Sequence, residues 1–332
     1  MKTLYLDCGM GAAGDMLTAA LLDLLPDKES FIAELNSLGI PGVMFSNTIT
    51  AKCGIRGSHI TVKVNGVEEA EQLRSYEHEH RCLHEHAHEH VPHHHHEHEH
   101  DHEHLYAYEH VHDHEHPHSH EHAHDHEHPH SHEHAHDGEH MHHHSGMHEI
   151  GHVVETLPVS EKVKSDIMAV YALIADAESR AHGVPVSEIH FHEVGTMDAI
   201  ADITAVCLLM ERLAPEQVVV SPVHVGCGHV RCAHGILPVP APATALLLRN
   251  VPIYGGRIQG ELCTPTGAAL LKYFAARFGE MPVMRVSDIG YGMGKKDFAE
   301  ANCVRALIGN TEDSCIVAAA PCYHFNEMAA FA

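Results

Sequence analysis

Thirty-four of the chain's 42 histidines fall between Glu77 and His152, and most of them alternate with glutamate or aspartate. His93-His94-His95-His96-Glu97-His98-Glu99-His100 is a typical stretch. Residues 115–126 are repeated at 127–138, with Gly138 in place of the last histidine. So few of these residues can build a core that the entropy of ordering the backbone goes unopposed. The composition therefore predicts a disordered tract over 77–152. It divides the chain into an N-terminal segment, 1–76, and a second ordered segment, 153–309, with 310–332 as a divergent tail.

Neutral imidazole is the commonest borderline metal ligand and suits Zn, Cu, Fe and Ni, while carboxylates serve as partners that orient it. The tract is thus expected to bind several divalent transition-metal ions, with His93, His94, His95, His96 and His98 among the ligands. The bland reading is a solvated linker. Composition does not choose the metal, because geometry supplies the selectivity.

The formal charge of −26 is concentrated in this tract. Residues 77–149 hold 18 acids and one base, −17 together, which leaves −9 for the remainder. No basic patch marks a nucleic-acid partner. No apolar run reaches the ~18 residues of a membrane span, and no signal peptide opens the chain. The 10 cysteines show neither CxxC nor a dense framework, so free thiols in a cytoplasmic protein are expected.

Outside the tract, 3–7 reads as a buried strand running into Cys8-Gly9-Met10-Gly11-Ala12-Ala13-Gly14-Asp15. Met16, Leu17, Ala20, Leu21 and Leu24 then mark a helical face. A strand, glycine-rich turn and helix start can bind an anion through free amides, here through Gly11 and Gly14, or can be a tight turn only. Helices are expected over 28–38, from Ser160 to about His182, from Thr196 to about Leu213, over 242–249 and over 265–278. Strands are expected over 43–50, 59–64 and 218–225. The alternation indicates an α/β or α+β fold, a mixed sheet with flanking helices, interrupted by the tract.

Three stretches concentrate chemistry. In His190-Phe191-His192-Glu193, extended backbone would put both imidazoles on one side. Asp198 and Asp202, four apart, share a helix face; Asp198 also suits the helix dipole, whereas Asp202 sits in an apolar run as a buried paired acid. From His224 to Gly235, His224, His229 and His234 recur at spacings of five, as do Cys227 and Cys232. That is a donor set for nickel or zinc, or else a polar hairpin. Thr264 and Thr266 open a helix as an anion seat or an ordinary cap. Lys295 and Lys296 lie in a glycine-rich loop that either covers a phosphate or carboxylate or is a mobile surface turn.

Taken together, Leu6-Asp7-Cys8, Gly11–Met16, the internal His-rich tract, His190–Gly195, Ala233–Thr244, Glu261–Gly267 and Gly290–Asp297 resemble the LarC family over about residues 1–309. The resemblance implies a nickel-insertion enzyme of the lyase class. It acts on pyridinium-3,5-bisthiocarboxylic acid mononucleotide in a CTP-dependent metallocyclase reaction, giving the nickel-pincer cofactor of lactate racemase, in which two sulfurs and a ring carbon bind the metal. Asp7, Asp15, His190, His192, Glu193, His224, His234 and Lys296 occupy motif positions.

Catalytic roles are expected for His190, His192 and Glu193, one of them taking the proton lost by the ring carbon. Metal contacts are expected at His190, His192, Asp198, Asp202, His224 and His234, and cofactor contacts at Gly11, Gly14, Thr264, Thr266, Lys295 and Lys296. After Gly309 the chain departs from the family pattern. The tail reads as an out-of-frame ending, so Ni²⁺ is expected here and the CTP-binding half elsewhere. Expected partners are the nucleotide, a separate C-terminal half and further copies in a homo-oligomer. The rival readings are a nickel store or metallochaperone without catalysis, and a metal-dependent hydrolase.

Overall fold

Alternate residues of the first strand are sorted to opposite sides of a sheet. Leu4 and Leu6 of β1 (Lys2–Asp7) join the main core, while Tyr5 packs on the other side with Val219 and Leu307, the period-2 pattern of a strand buried on both faces. The computed structural model of the chain describes residues 1–68, 146–189, 191, 194–232 and 234–311. The expected tract from 77 to 145, its ligands His93, His94, His95, His96 and His98, the residues His190, His192 and Glu193, and the tail from 312 lie outside the described residues.

In chain order β1 is followed by α1 (Gly14–Leu22), α2 (Lys28–Ser37), β2 (Val43–Lys52), β3 (Ile55–Val64) and β4 (Val67–Glu68). After the tract come α3 (Met147–Thr156), α4 (Glu161–His182) and α5 (Met197–Leu213), then β5 (Gln217–Val220), β6 (Val223–His224), β7 (Gly226–Cys227), β8 (His229–Cys232) and β9 (Gly235–Pro238). The chain continues through α6 (Pro242–Leu247), β10 (Ile253–Tyr254), β11 (Gly260–Glu261), α7 (Pro265–Phe274), β12 (Arg277–Phe278), β13 (Met284–Met293) and β14 (Cys303–Thr311). The main sheet runs β12-β5-β1-β14-β13-β3-β2, with β4 on β3. β1 pairs parallel with β5 and antiparallel with β14, so the sheet is mixed, as expected. Helix α1 packs on β3 and β13 and against α5. It is buried nearly all round, as a helix apolar on every face must be.

The differences from expectation have local causes. The 43–64 region is a long hairpin rather than two short strands around a loop, because Cys53 and Gly54 both take positive φ and close a two-residue turn. The strand expected over 218–225 breaks at Pro222, which lacks a ladder donor. The expected 265–278 helix ends at Phe274, since the Ala276 and Gly279 amides bond to Val218 and Val220 of β5 instead. The expected disordered tract is too long at its C-terminal end. Residues 147–156 form α3, which buries Ile150 and Val154 on one face and packs on α4. The 310–311 part of the expected tail belongs to β14, and the Thr311 amide donates to the Met1 carbonyl.

Candidate functional site

The turn after β1 and the turn before α7 are laced together. The Gly11 amide donates to the Cys8 carbonyl at 2.9 Å, the Ala12 amide to the Leu262 carbonyl at 3.1 Å, and the Thr264 amide to the Ala12 carbonyl at 3.0 Å. Gly11 has φ +78, and a Cβ there would collide with the Leu262 carbonyl, so glycine is required on both counts. The starts of α1 and α7 are thereby fixed side by side. The start of α5, capped by the Thr196 hydroxyl, joins them. All three N-termini line a cavity of about 320 Å³ that Lys295 and Lys296 complete from the β13–β14 loop.

Each terminus meets different chemistry. A Cβ on Gly14 would collide with the Asp202 carboxylate; this acid, 7% exposed, packs over the positive end of α1, where the dipole favours it. Asp198 occupies the first turn of α5. Helix α7 has no acid in its first turn; the Thr264 hydroxyl caps it by accepting from the Gly267 amide at 3.2 Å, and Thr266 is buried at the cavity wall. The Thr264 hydroxyl thus serves as the helix cap.

Among the charged residues of the lining, four are acids, Asp15, Asp198, Asp202 and Glu261, and two are lysines. Burial raises the Asp15 carboxyl above its usual range, against the opposing pull of Lys295, the Met16 amide and His59. For Lys295, burial lowers the pKa, but Asp15, Asp198 and a Glu68 carboxylate at 3.1 Å outweigh it, and the net shift is upward. The glycine-rich loop is tied down: Lys52 Nζ donates to the Lys296 carbonyl at 3.0 Å and to Asp297 Oδ1 at 2.6 Å, and Asn302 Nδ2 donates to the Lys296 carbonyl at 2.8 Å.

A second cavity, also about 320 Å³, shares Val194, Glu261 and Pro265 with the first and holds His182, Glu178, Cys232 and His234. Sequence reasoning missed His182 and Glu178, although their spacing of four at a helix end was a usable signal. The fivefold spacing of His224, His229 and His234 does not gather them. His224 is buried and stacked on Tyr254 with ring centroids 4.7 Å apart; neither of its ring nitrogens has a hydrogen-bond partner among the described residues. His229 is exposed, and His234 reaches the second cavity. Among the described residues no three His, Cys, Asp or Glu side chains form a metal-holding group. Asp7 ion-pairs with Arg305 at 2.6 Å. Burial pushes the Cys8 thiol well up and that of Cys263 up to about 12, so neither offers a thiolate at neutral pH. Phe191 is buried, its ring centroid 6.1 Å from that of Tyr171, whose hydroxyl is raised by burial and then by Asp202 and Asp198.

The family model described as "Nickel insertion protein" matches residues 4–321. The chain belongs to the nickel insertion protein family. Several curated relatives carry the name pyridinium-3,5-bisthiocarboxylic acid mononucleotide nickel insertion protein, three of which illustrate the match. The one from Staphylococcus saprophyticus is 42% identical over 304 residues, covering 92% of this chain and 59% of its own length. Those from Clostridium kluyveri and Desulfitobacterium hafniense are 33% and 32% identical, covering 95% and 94% of this chain and 63% and 60% of their own lengths. The chain thus spans about three fifths of these family members. No solved structure matches it. No helix among the described residues is long and apolar enough to cross a membrane.

Proposed function

We propose that this chain carries out nickel handling for insertion into pyridinium-3,5-bisthiocarboxylic acid mononucleotide, and that the first cavity seats the nucleotide. The observation that carries the reading is that the cavity offers both signs of charge, two lysines and helix N-termini beside four carboxylates. A pyridinium mononucleotide bears a cationic ring and anionic phosphate and thiocarboxylate groups, and the incoming metal is a dication. The acid-free N-terminus of α7 with Lys295 and Lys296 suits the phosphate. Asp15, Asp198 and Asp202 suit the ring cation and the metal.

In this reading nickel is a substrate. Two sulfurs and one ring carbon replace its water or imidazole ligands, and the ring C–H loses its proton. One of His190, His192 or Glu193, next in sequence to Val194 on the wall between the cavities, takes that proton. The His-rich tract concentrates the metal. The CTP requirement and the lyase chemistry that the resemblance implies belong to the same proposal, as does a cytoplasmic homo-oligomer.

The test combines the chain with nickel, the thiocarboxylate nucleotide and CTP, with and without a separately made protein corresponding to the part of the relatives that it does not span. Nickel-dependent formation of the pincer product, lost in Lys295→Ala, supports the proposal. Failure of the chain to bind the nucleotide at all would sink it. The dense histidine tract favours one other reading, a nickel store. Deleting residues 78–142 separates the two: a store loses its capacity, whereas an insertion enzyme keeps its rate at saturating nickel.

A further inference from the structure

The second cavity collects donors that the first does not use. His182 is the last residue of α4, and its Nε2 lies 3.3 Å from Glu178 Oε2, one turn earlier. The ring of His234, between β8 and β9, has its centroid 4.7 Å from that of His182, with the planes inclined by 41°. Two imidazoles that each ligate one ion at ~2.1 Å bring their ring centres to roughly 5 Å, so the observed spacing suits a shared ion. A carboxylate on the other ring nitrogen is the usual support of a metal-bound histidine, which leaves Nδ1 of His182 for the ion. The carbonyl end of α4 favours positive charge there. Cys232, at the end of β8, lines the same cavity.

We propose that His182 and His234 hold a nickel(II) ion in transit, with Glu178 orienting His182, and that Glu261, which lines both cavities, separates this station from the nucleotide seat. The proposal rests on the nickel-insertion reading of the first cavity. Among the described residues no third His, Cys, Asp or Glu joins them in a ligand group. An ion held by two imidazoles keeps positions open for the sulfurs that take it over.

The test is peptide-resolved acylation of histidines by diethyl pyrocarbonate, run on the full chain titrated with nickel(II) alone. His182 and His234 should become protected together, with a single midpoint, while exposed His229 keeps its rate. His234→Ala should abolish protection at His182, and Glu178→Gln should raise the midpoint roughly tenfold, the usual loss when a supporting carboxylate is removed. Unchanged acylation of both rings up to saturating nickel, or protection at unrelated midpoints, would overturn the site. With nucleotide present, His182→Ala/His234→Ala should slow insertion at limiting nickel and recover at saturating nickel; an unchanged rate at limiting nickel would overturn the transit role. Failure of the unaltered chain to bind the nucleotide would instead sink the reading of the first cavity, and the acylation pattern would still decide the metal pair.

Discussion

The Glu68 carboxylate lies 3.1 Å from the Lys295 ammonium, so the last described residue before the histidine-rich segment touches a lysine that lines the candidate nucleotide cavity. Lys295 also interacts with Asp15 and Asp198.

Replacing that lysine separates its two roles. Lys295→Ala should weaken nucleotide binding by about 10- to 100-fold, the value of a charge-assisted hydrogen bond to phosphate. Lys295→Arg should restore part of it, and Glu68→Gln should change it little. Calorimetric titration of the four proteins with the nucleotide measures this. Equal affinities for wild type and Lys295→Ala would remove the lysine from the site.

Close approach of α1 and α5 depends on the missing side chain at position 14. Gly14→Ala should destabilise the fold by about 1–3 kcal/mol, because the new methyl collides with the Asp202 carboxylate. Gly14→Ala/Asp202→Ala should cost less than the sum of the two single changes, since the methyl then has room. Urea unfolding of the four proteins tests this; strict additivity would contradict the contact.

Asp15 gives the fold a pH dependence of definite sign. Its folded carboxyl titrates above the ordinary 3.8, so the unfolded chain releases this proton first. The contribution of Asp15 to stability is fully present below pH 3.8 and is lost as pH rises through the folded value. Asp15→Asn should accordingly gain stability relative to wild type as pH rises from 3.5 to 7. Denaturant midpoints across that range provide the check, and a difference that moves the other way would mean that Lys295, not burial, sets the shift.

Metal competes with protons for imidazole, so nickel carried per chain should fall as pH drops through about 6.5. Equilibrium dialysis at pH 7.5 and 5.5 measures it. Equal stoichiometry at both values would contradict histidine ligation.

Much of this protein was readable one residue at a time. The spacing of apolar residues located α1 and α4, and Ser160 and Thr196 marked two helix starts to the residue, because capping and amphipathicity are local properties. The histidine tract gave an expectation of metal binding through composition alone. The linear sequence did not show that the turns at Gly11 and Thr264 touch, that Asp202 covers the start of α1, or that His182 meets His234 while His224 packs against Tyr254. Those pairings join residues from 30 to about 250 positions apart. They follow from how the sheet and its helices close over one core, and long-range packing of that kind leaves no periodic trace in the chain.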